Sequence, residues 1–196
     1  MKNKINVFIL TLFLICGTVA VKGQNPHAGS THLPFKITFF SESIGIPNFS
    51  RFFKQSGFGL RVGTEIYYSN TQKAQFFQTL NIGLYRHKHF ASALFFSTEA
   101  GYRRYFGSFF ADATIGGGLQ YSNSELPVYK PSDNAFRKTS GNLLRFIPTV
   151  GLGTGYVFNQ TAVFARYELF GEMPFGYKGV PALPRQTIHF GTQFNL

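Results

Sequence analysis

Apolar and polar residues alternate one for one along most of the chain, the two-residue period of a strand with one greasy face and one wet face. Over 58–68, Phe58, Leu60, Val62, Ile66 and Tyr68 are interleaved with Gly59, Arg61, Gly63 and Glu65. Over 93–106, Leu94, Phe96, Ala100 and Tyr102 alternate with Ser97, Glu99, Gly101 and Arg103. The same texture marks 33–42, 76–87, 109–121, 143–158, 162–172 and 186–196, and beyond residue 30 no sustained helical period competes with it. Each segment has about the 10 residues that a tilted strand needs to cross the apolar slab of a bilayer. The pattern predicts an all-β fold, an eight-stranded antiparallel up-and-down transmembrane β-barrel. Closure is required because an open sheet edge leaves backbone groups unpaired in lipid. Eight strands close around a space that side chains can fill.

Connections alternate in length. Residues 69–73, 107–108 and 159–160 make short turns, whereas 43–56, 122–142 and 174–184 are long, with 88–90 the short exception. Short turns on the periplasmic side and long loops outside are the outer-membrane arrangement. Tyr68, Phe76, Tyr102, Phe106, Phe109, Tyr156, Phe158 and Phe194 lie near the short turns or the C-terminus with outward parity, as a periplasmic aromatic girdle requires. Composition agrees: 25 Phe, 10 Tyr and 21 Gly without Trp are hard to hide in one soluble core, and a lipid-facing surface gives the rings a place.

The N-terminus carries Lys2 and Lys4, an apolar run from Val7 to Val21, and small residues around Gly23. This reads as a secretory signal peptide over 1–23, leaving 24–196 as one barrel domain. Cys16 falls inside the apolar run, after Ile15, so the exported chain is expected to have no thiol, no disulfide and no cysteine-bound metal.

Charge separates the two faces of the strands. Glu42, Glu65, Glu99, Asp112, Glu168 and Glu172 have inward parity, as do Lys36, Arg61, Arg103, Arg145 and Arg166. Lone charges are costly in so narrow a space, so opposite charges should pair into a polar plug. A filled structural interior is preferred to an ion pathway. The long connections hold Arg51, Lys54, Arg86, Lys88, Lys130, Arg137, Lys138, Lys178 and Arg185 against only Glu125 and Asp133. That excess suits lipopolysaccharide phosphate or an acidic glycan by charge attraction, though it does not by itself define a site.

The last segment ends His189-Phe190-Gly191-Thr192-Gln193-Phe194-Asn195-Leu196. It resembles the C-terminal signal read by barrel-assembly machinery, with His189, Gly191, Phe194 and Leu196 at the polar, glycine and apolar positions. In overall layout the chain resembles the outer membrane protein β-barrel family of small eight-stranded proteins. The resemblance implies outer-membrane insertion, the assembly machinery as a partner, and no particular activity.

Chemistry-bearing motifs are few. His87-Lys88-His89, beside Arg86, could share a metal, but too few ligands surround them and an exposed basic loop is the simpler reading. Ser122-Asn123-Ser124 raises a barrel lipid hydrolase, which would need a histidine and an acid in place; His189 is expected near the periplasmic rim, too far away. Gly116-Gly117-Gly118 and Gly151-x-Gly153-x-Gly155 stand within strands and lack the helix of a nucleotide loop. No catalytic, metal or cofactor site is therefore expected, and export removes nucleic acid as a partner. Tyr129 and Lys130, between prolines in loop 122–142, are candidates for a glycan or protein contact. A monomeric envelope barrel with a structural or interaction role is the leading reading. A lipid-modifying barrel enzyme, a narrow pore and a secreted lipocalin-like carrier with apolar residues inside remain alternatives.

Overall fold

A computed structural model describes residues 33–44, 57–87, 91–124, 128–132, 135–139, 142–173 and 182–194. The strands are β1 (Phe35–Ile44), β2 (Gly57–Asn70), β3 (Ala74–His87), β4 (Ala91–Phe106), β5 (Phe109–Ser124), β6 (Val128–Ser132), β7 (Ala135–Thr139), β8 (Asn142–Phe158), β9 (Thr161–Glu172) and β10 (Leu183–Phe194). Eight of them close into a barrel in the order β1-β10-β9-β8-β5-β4-β3-β2. Every neighbour is antiparallel, and β1 pairs with both β2 and β10, so no edge is left open. The segment 1–23 lies outside the described residues.

Turn chemistry sets one end of the barrel. Gly107 and Asn159 open the two-residue turns with φ of 67° and 53°, a left-handed conformation these two residue types tolerate best. Between β2 and β3, Thr71 N donates to Ala74 O (2.9 Å). Register slips once, between Tyr67 and Ser69, leaving Tyr68 as the extra residue of a bulge beside this turn.

The long connection 122–142 is not wholly irregular, which departs from the sequence expectation. β5 and β8 stay paired out to Asn123 and Asn142. Within the remainder, β6 and β7 form their own two-stranded antiparallel ribbon, with Ser132 directly opposite Ala135. Two residues separate the strands, the length of a tight hairpin connection. Pro131 disguises β6 in the sequence, and a two-stranded ribbon tolerates it because one side needs no ladder bonds.

Apolar side chains crowd the outside of the barrel: Phe58 and Ile115 are 70% and 69% exposed, with Phe39, Leu144, Leu152 and Phe190 close behind. A continuous belt of this kind is incompatible with water and is what a bilayer solvates. Charged residues fill the inside, so the lipocalin-like arrangement does not hold. The interior is nevertheless not purely polar. Phe40, Phe77, Tyr85, Phe95 and Phe110 are buried within it. The phenylalanines each lie opposite a glycine on the next strand, in the pairs Phe40–Gly59, Phe95–Gly83, Phe77–Gly101 and Phe110–Gly155. A Cβ on any of these glycines would come within 2.4 Å of the facing ring. The missing side chains make the slots in which the rings lie.

Candidate functional site

Among the described residues the lumen holds two ionic clusters. In the lower and central part, Lys36 Nζ donates to Glu65 (2.8 Å), and Arg103 donates to Glu65 through both terminal nitrogens (3.0 and 2.9 Å). Arg103 also donates to Asp112 (3.1 Å), which Arg166 approaches at 3.5 Å while donating to Glu99 (3.1 Å). Arg61 donates to Glu99 (3.4 Å) and binds Glu168 with both terminal nitrogens (3.0 and 2.9 Å). Four carboxylates and four cations are thus linked in one continuous chain that sums to neutrality. Bidentate guanidinium–carboxylate pairs hold side chains in place as well as balancing charge.

Nearer the long-loop end, Arg185 bridges Glu42 and Glu172, with its Nε 2.9 Å from Glu172. Arg145 also pairs with Glu172, which accepts from Tyr85 (3.1 Å) and Gln120 (2.9 Å). His87 Nδ1 lies 3.2 Å from Glu42. This second cluster again sets two arginines against two glutamates.

An aromatic layer lies between the clusters. Phe40 packs against Phe95 (centroids 5.9 Å), Tyr85 (6.4 Å) and His189 (5.0 Å). The Arg61 guanidinium lies over Phe95 at 5.3 Å, and that of Arg103 is 4.6 Å from both Phe77 and Phe110. These contacts let cations stay charged against rings that would otherwise only exclude water. At the short-turn end, Tyr67 donates to Glu65 (3.0 Å), Gln193 to Tyr67 (2.9 Å) and Tyr105 to Gln75 (2.8 Å), forming a hydrogen-bonded floor beneath the cluster. A cavity of about 10 Å³, lined by Lys36, Arg61, Arg166 and His189 among others, has room for about one water molecule.

Several residues lie elsewhere than the sequence suggested. Arg185, counted among the outer loops, is 1% exposed inside the barrel. β10 begins at Leu183 rather than 186, and Arg185 shares inward parity with Thr187 and His189. His87 is likewise buried and turned to Glu42, not an exposed loop residue, because β3 carries its alternation to its last position. Arg86, one position earlier, is exposed. His189 lies opposite Phe40 at mid-strand rather than at the rim. Its Nε2 is 2.8 Å from Thr187 Oγ1 and 3.6 Å from Glu168, and its Nδ1 has no partner. Lys88, His89 and Leu196 lie outside the described residues, and of Tyr129 and Lys130 only the backbone, in β6, is described. Among the described residues, no three His, Cys, Asp or Glu side chains are grouped to hold a metal.

The outside of the barrel decides its setting. Phe109 stacks edge-on against Tyr156 (4.7 Å, 82°), and Tyr156 contacts Phe158 (4.5 Å), forming an aromatic band beside the short turns below the apolar belt. A closed barrel with such a belt and girdle is built to span an outer membrane. The fold is that of the small outer-membrane barrels. The chain is similar in structure to Neisserial surface protein A, with 10% identity over 84% of this chain and 96% of that one and a TM-score of 0.52. It is also similar to the N-terminal barrel domain of Pseudomonas aeruginosa OprF (18% identity, 83% and 97% coverage, TM-score 0.44) and to the outer membrane enzyme PagL (13% identity, 82% and 99% coverage, TM-score 0.48). No protein-family model matches the chain. No curated protein matches it by sequence. A shared barrel carries no activity with it, so function has to be read from the side chains.

Proposed function

We propose that the protein is a sealed, non-catalytic outer-membrane anchor that holds its long outward connections at the cell surface. The observation that carries this reading is the lumen: two internally neutral ion-pair clusters separated by packed aromatic rings. Opening a path would separate buried pairs, each at a cost of several kcal/mol, about 3–5 when one partner is removed. Acid–base chemistry on lipid has no support there, since His87 and His189 face away from the acyl chains.

The barrel acts as a rigid monomeric scaffold. Its working surface is the long-loop side, where the basic residues of the connections, Arg86 among them, meet lipopolysaccharide phosphates, and the segment around Tyr129 and Lys130 offers a protein or glycan contact. The terminal strand, with His189, Gly191, Phe194 and Leu196, is what the assembly machinery recognises.

Planar bilayer recordings of the purified protein test the seal. A silent membrane is expected, and reproducible single-channel steps would replace the anchor with a pore. Mass spectrometry of lipid A from expressing cells tests catalysis, with an unchanged profile expected and a new deacylated species overturning the reading.

A further inference from the structure

Lipid-facing positions of the barrel strands are uncharged with two exceptions among the described residues: Arg86 at the long-loop end of β3, and Arg104 near the short-turn end of β4. An arginine on the lipid face is costly at mid-membrane, about 2–4 kcal/mol, but nearly free at the interface, where its stem lies along the belt and its head reaches phosphate.

Arg104 is placed for that. Its strand neighbours are Ala74 on β3 and Ala111 on β5, so nothing bulky flanks the guanidinium. One rung deeper stands Tyr102, 49% exposed, between Phe76 and Ala113. Phe106 and Phe109 lie on the other side, toward the turn. Lys73, also exposed, comes immediately before Ala74 in the turn, and its carbonyl accepts from Tyr105 N (2.9 Å), which ties its backbone to β4 one residue from Arg104.

Among the described residues no acid neutralises this corner. Glu42, Glu65, Glu99, Asp112, Glu168 and Glu172 are all buried in the lumen, and Glu125 and Asp133 lie outside the described residues. Two exposed cations thus stand close in the ladder at the short-turn rim, with alanines at the positions paired with Arg104 and aromatic residues before and after it on the same face.

We propose that Lys73 and Arg104 form a binding site for the phosphate of an anionic phospholipid in the periplasmic leaflet, with an acyl chain lying along Ala111, Ala113 and Tyr102. The site depends on the short turns facing the periplasm and not on the seal of the lumen, so it stands or falls separately from the anchor reading.

Native mass spectrometry of the detergent-purified full chain, with phosphatidylglycerol or phosphatidylcholine added, reads the site directly. The wild-type protein is expected to keep phosphatidylglycerol in preference to phosphatidylcholine. Arg104→Gln and Lys73→Gln should each lower that retention about fivefold, the effect of about 1 kcal/mol per basic residue near an anionic surface. Arg104→Lys should retain the preference. Equal retention of the two lipids by the wild type, or wild-type retention by Arg104→Gln, overturns the proposal. So does displacement of phosphatidylglycerol by an equal concentration of inorganic phosphate, which would make this a free-anion site. If Arg104→Gln yields no heat-modifiable barrel, the wild-type lipid preference and its persistence in Arg104→Lys decide the matter.

Discussion

Arg103→Met tests the central ionic cluster at its most connected member. Arg103 is 2% exposed, holds Glu65 with two hydrogen bonds and Asp112 with two more, and lies between the Phe77 and Phe110 rings. Methionine keeps much of the length and the contact with the rings, so the substitution removes mainly charge. Glu65 keeps Lys36 at 2.8 Å, but Asp112 is left with Arg166 at 3.5 Å as its nearest cation, and the cluster gains one uncompensated negative charge. Removing one partner from a buried ion pair costs about 3–5 kcal/mol. Urea unfolding in lipid vesicles, followed by heat-modifiable electrophoretic mobility, should therefore show a lower midpoint at unchanged slope. The double variant Arg103→Met/Asp112→Asn is the decisive comparison. It leaves Lys36–Glu65, Arg61–Glu168 and Arg166–Glu99 as three whole pairs and restores neutrality. It should recover more than half of the loss. A single variant within about 1 kcal/mol of wild type, well below the range for a dry pair, would mean that water reaches the cluster and the lumen is not sealed. A double variant no better than the single would show that charge balance is not what organises it.

The aromatic layer predicts that the two clusters are energetically independent: Glu42→Gln and Arg103→Met share no partner, so their effects on the unfolding midpoint should add to within about 0.5 kcal/mol. Coupling well beyond that would mean the clusters communicate. Gly101→Ala places a Cβ 2.4 Å from the Phe77 ring and should cost about 1–3 kcal/mol by overcrowding, with Phe77→Leu restoring part of it in the same assay. Because β5 and β8 are paired up to Asn123 and Asn142 on their own, deleting 128–139 should leave the heat-modifiable mobility of the barrel unchanged. Loss of the folded band would show that the ribbon helps to hold the barrel together.

Alternation alone carried the architecture, because a strand's period of two makes the face of each residue a matter of counting. Counting assigns Arg61, Glu65, Glu99, Arg103, Asp112, Arg166 and Glu168 to one side, and chemistry then says that lipid cannot be the side that receives them. The same count, begun a few residues earlier in the last segment, takes in Arg185, which was misplaced because that strand was drawn from 186 while pairing starts at Leu183. His87 already stands inside 76–87 with inward parity, and only its basic neighbours Arg86 and Lys88 make it read as part of an exposed loop. The β6–β7 ribbon was hidden for a different reason, since Pro131 and its polar neighbours read as a loop whenever strand propensity is judged without a partner.

What the sequence could not determine is which inward residues meet. Arg61 and Glu168 are 107 positions apart and Arg185 and Glu42 are 143, and such pairs exist only once the barrel has closed and its shear has set the depth of each strand. The buried phenylalanines are of the same kind. Phe40, Phe77, Phe95 and Phe110 look like lipid-facing rings in a list of apolar residues, and only the glycines facing them across the ladder give them room inside. Local periodicity fixes direction, inside or outside. Register, a property of the whole closed sheet, fixes partners.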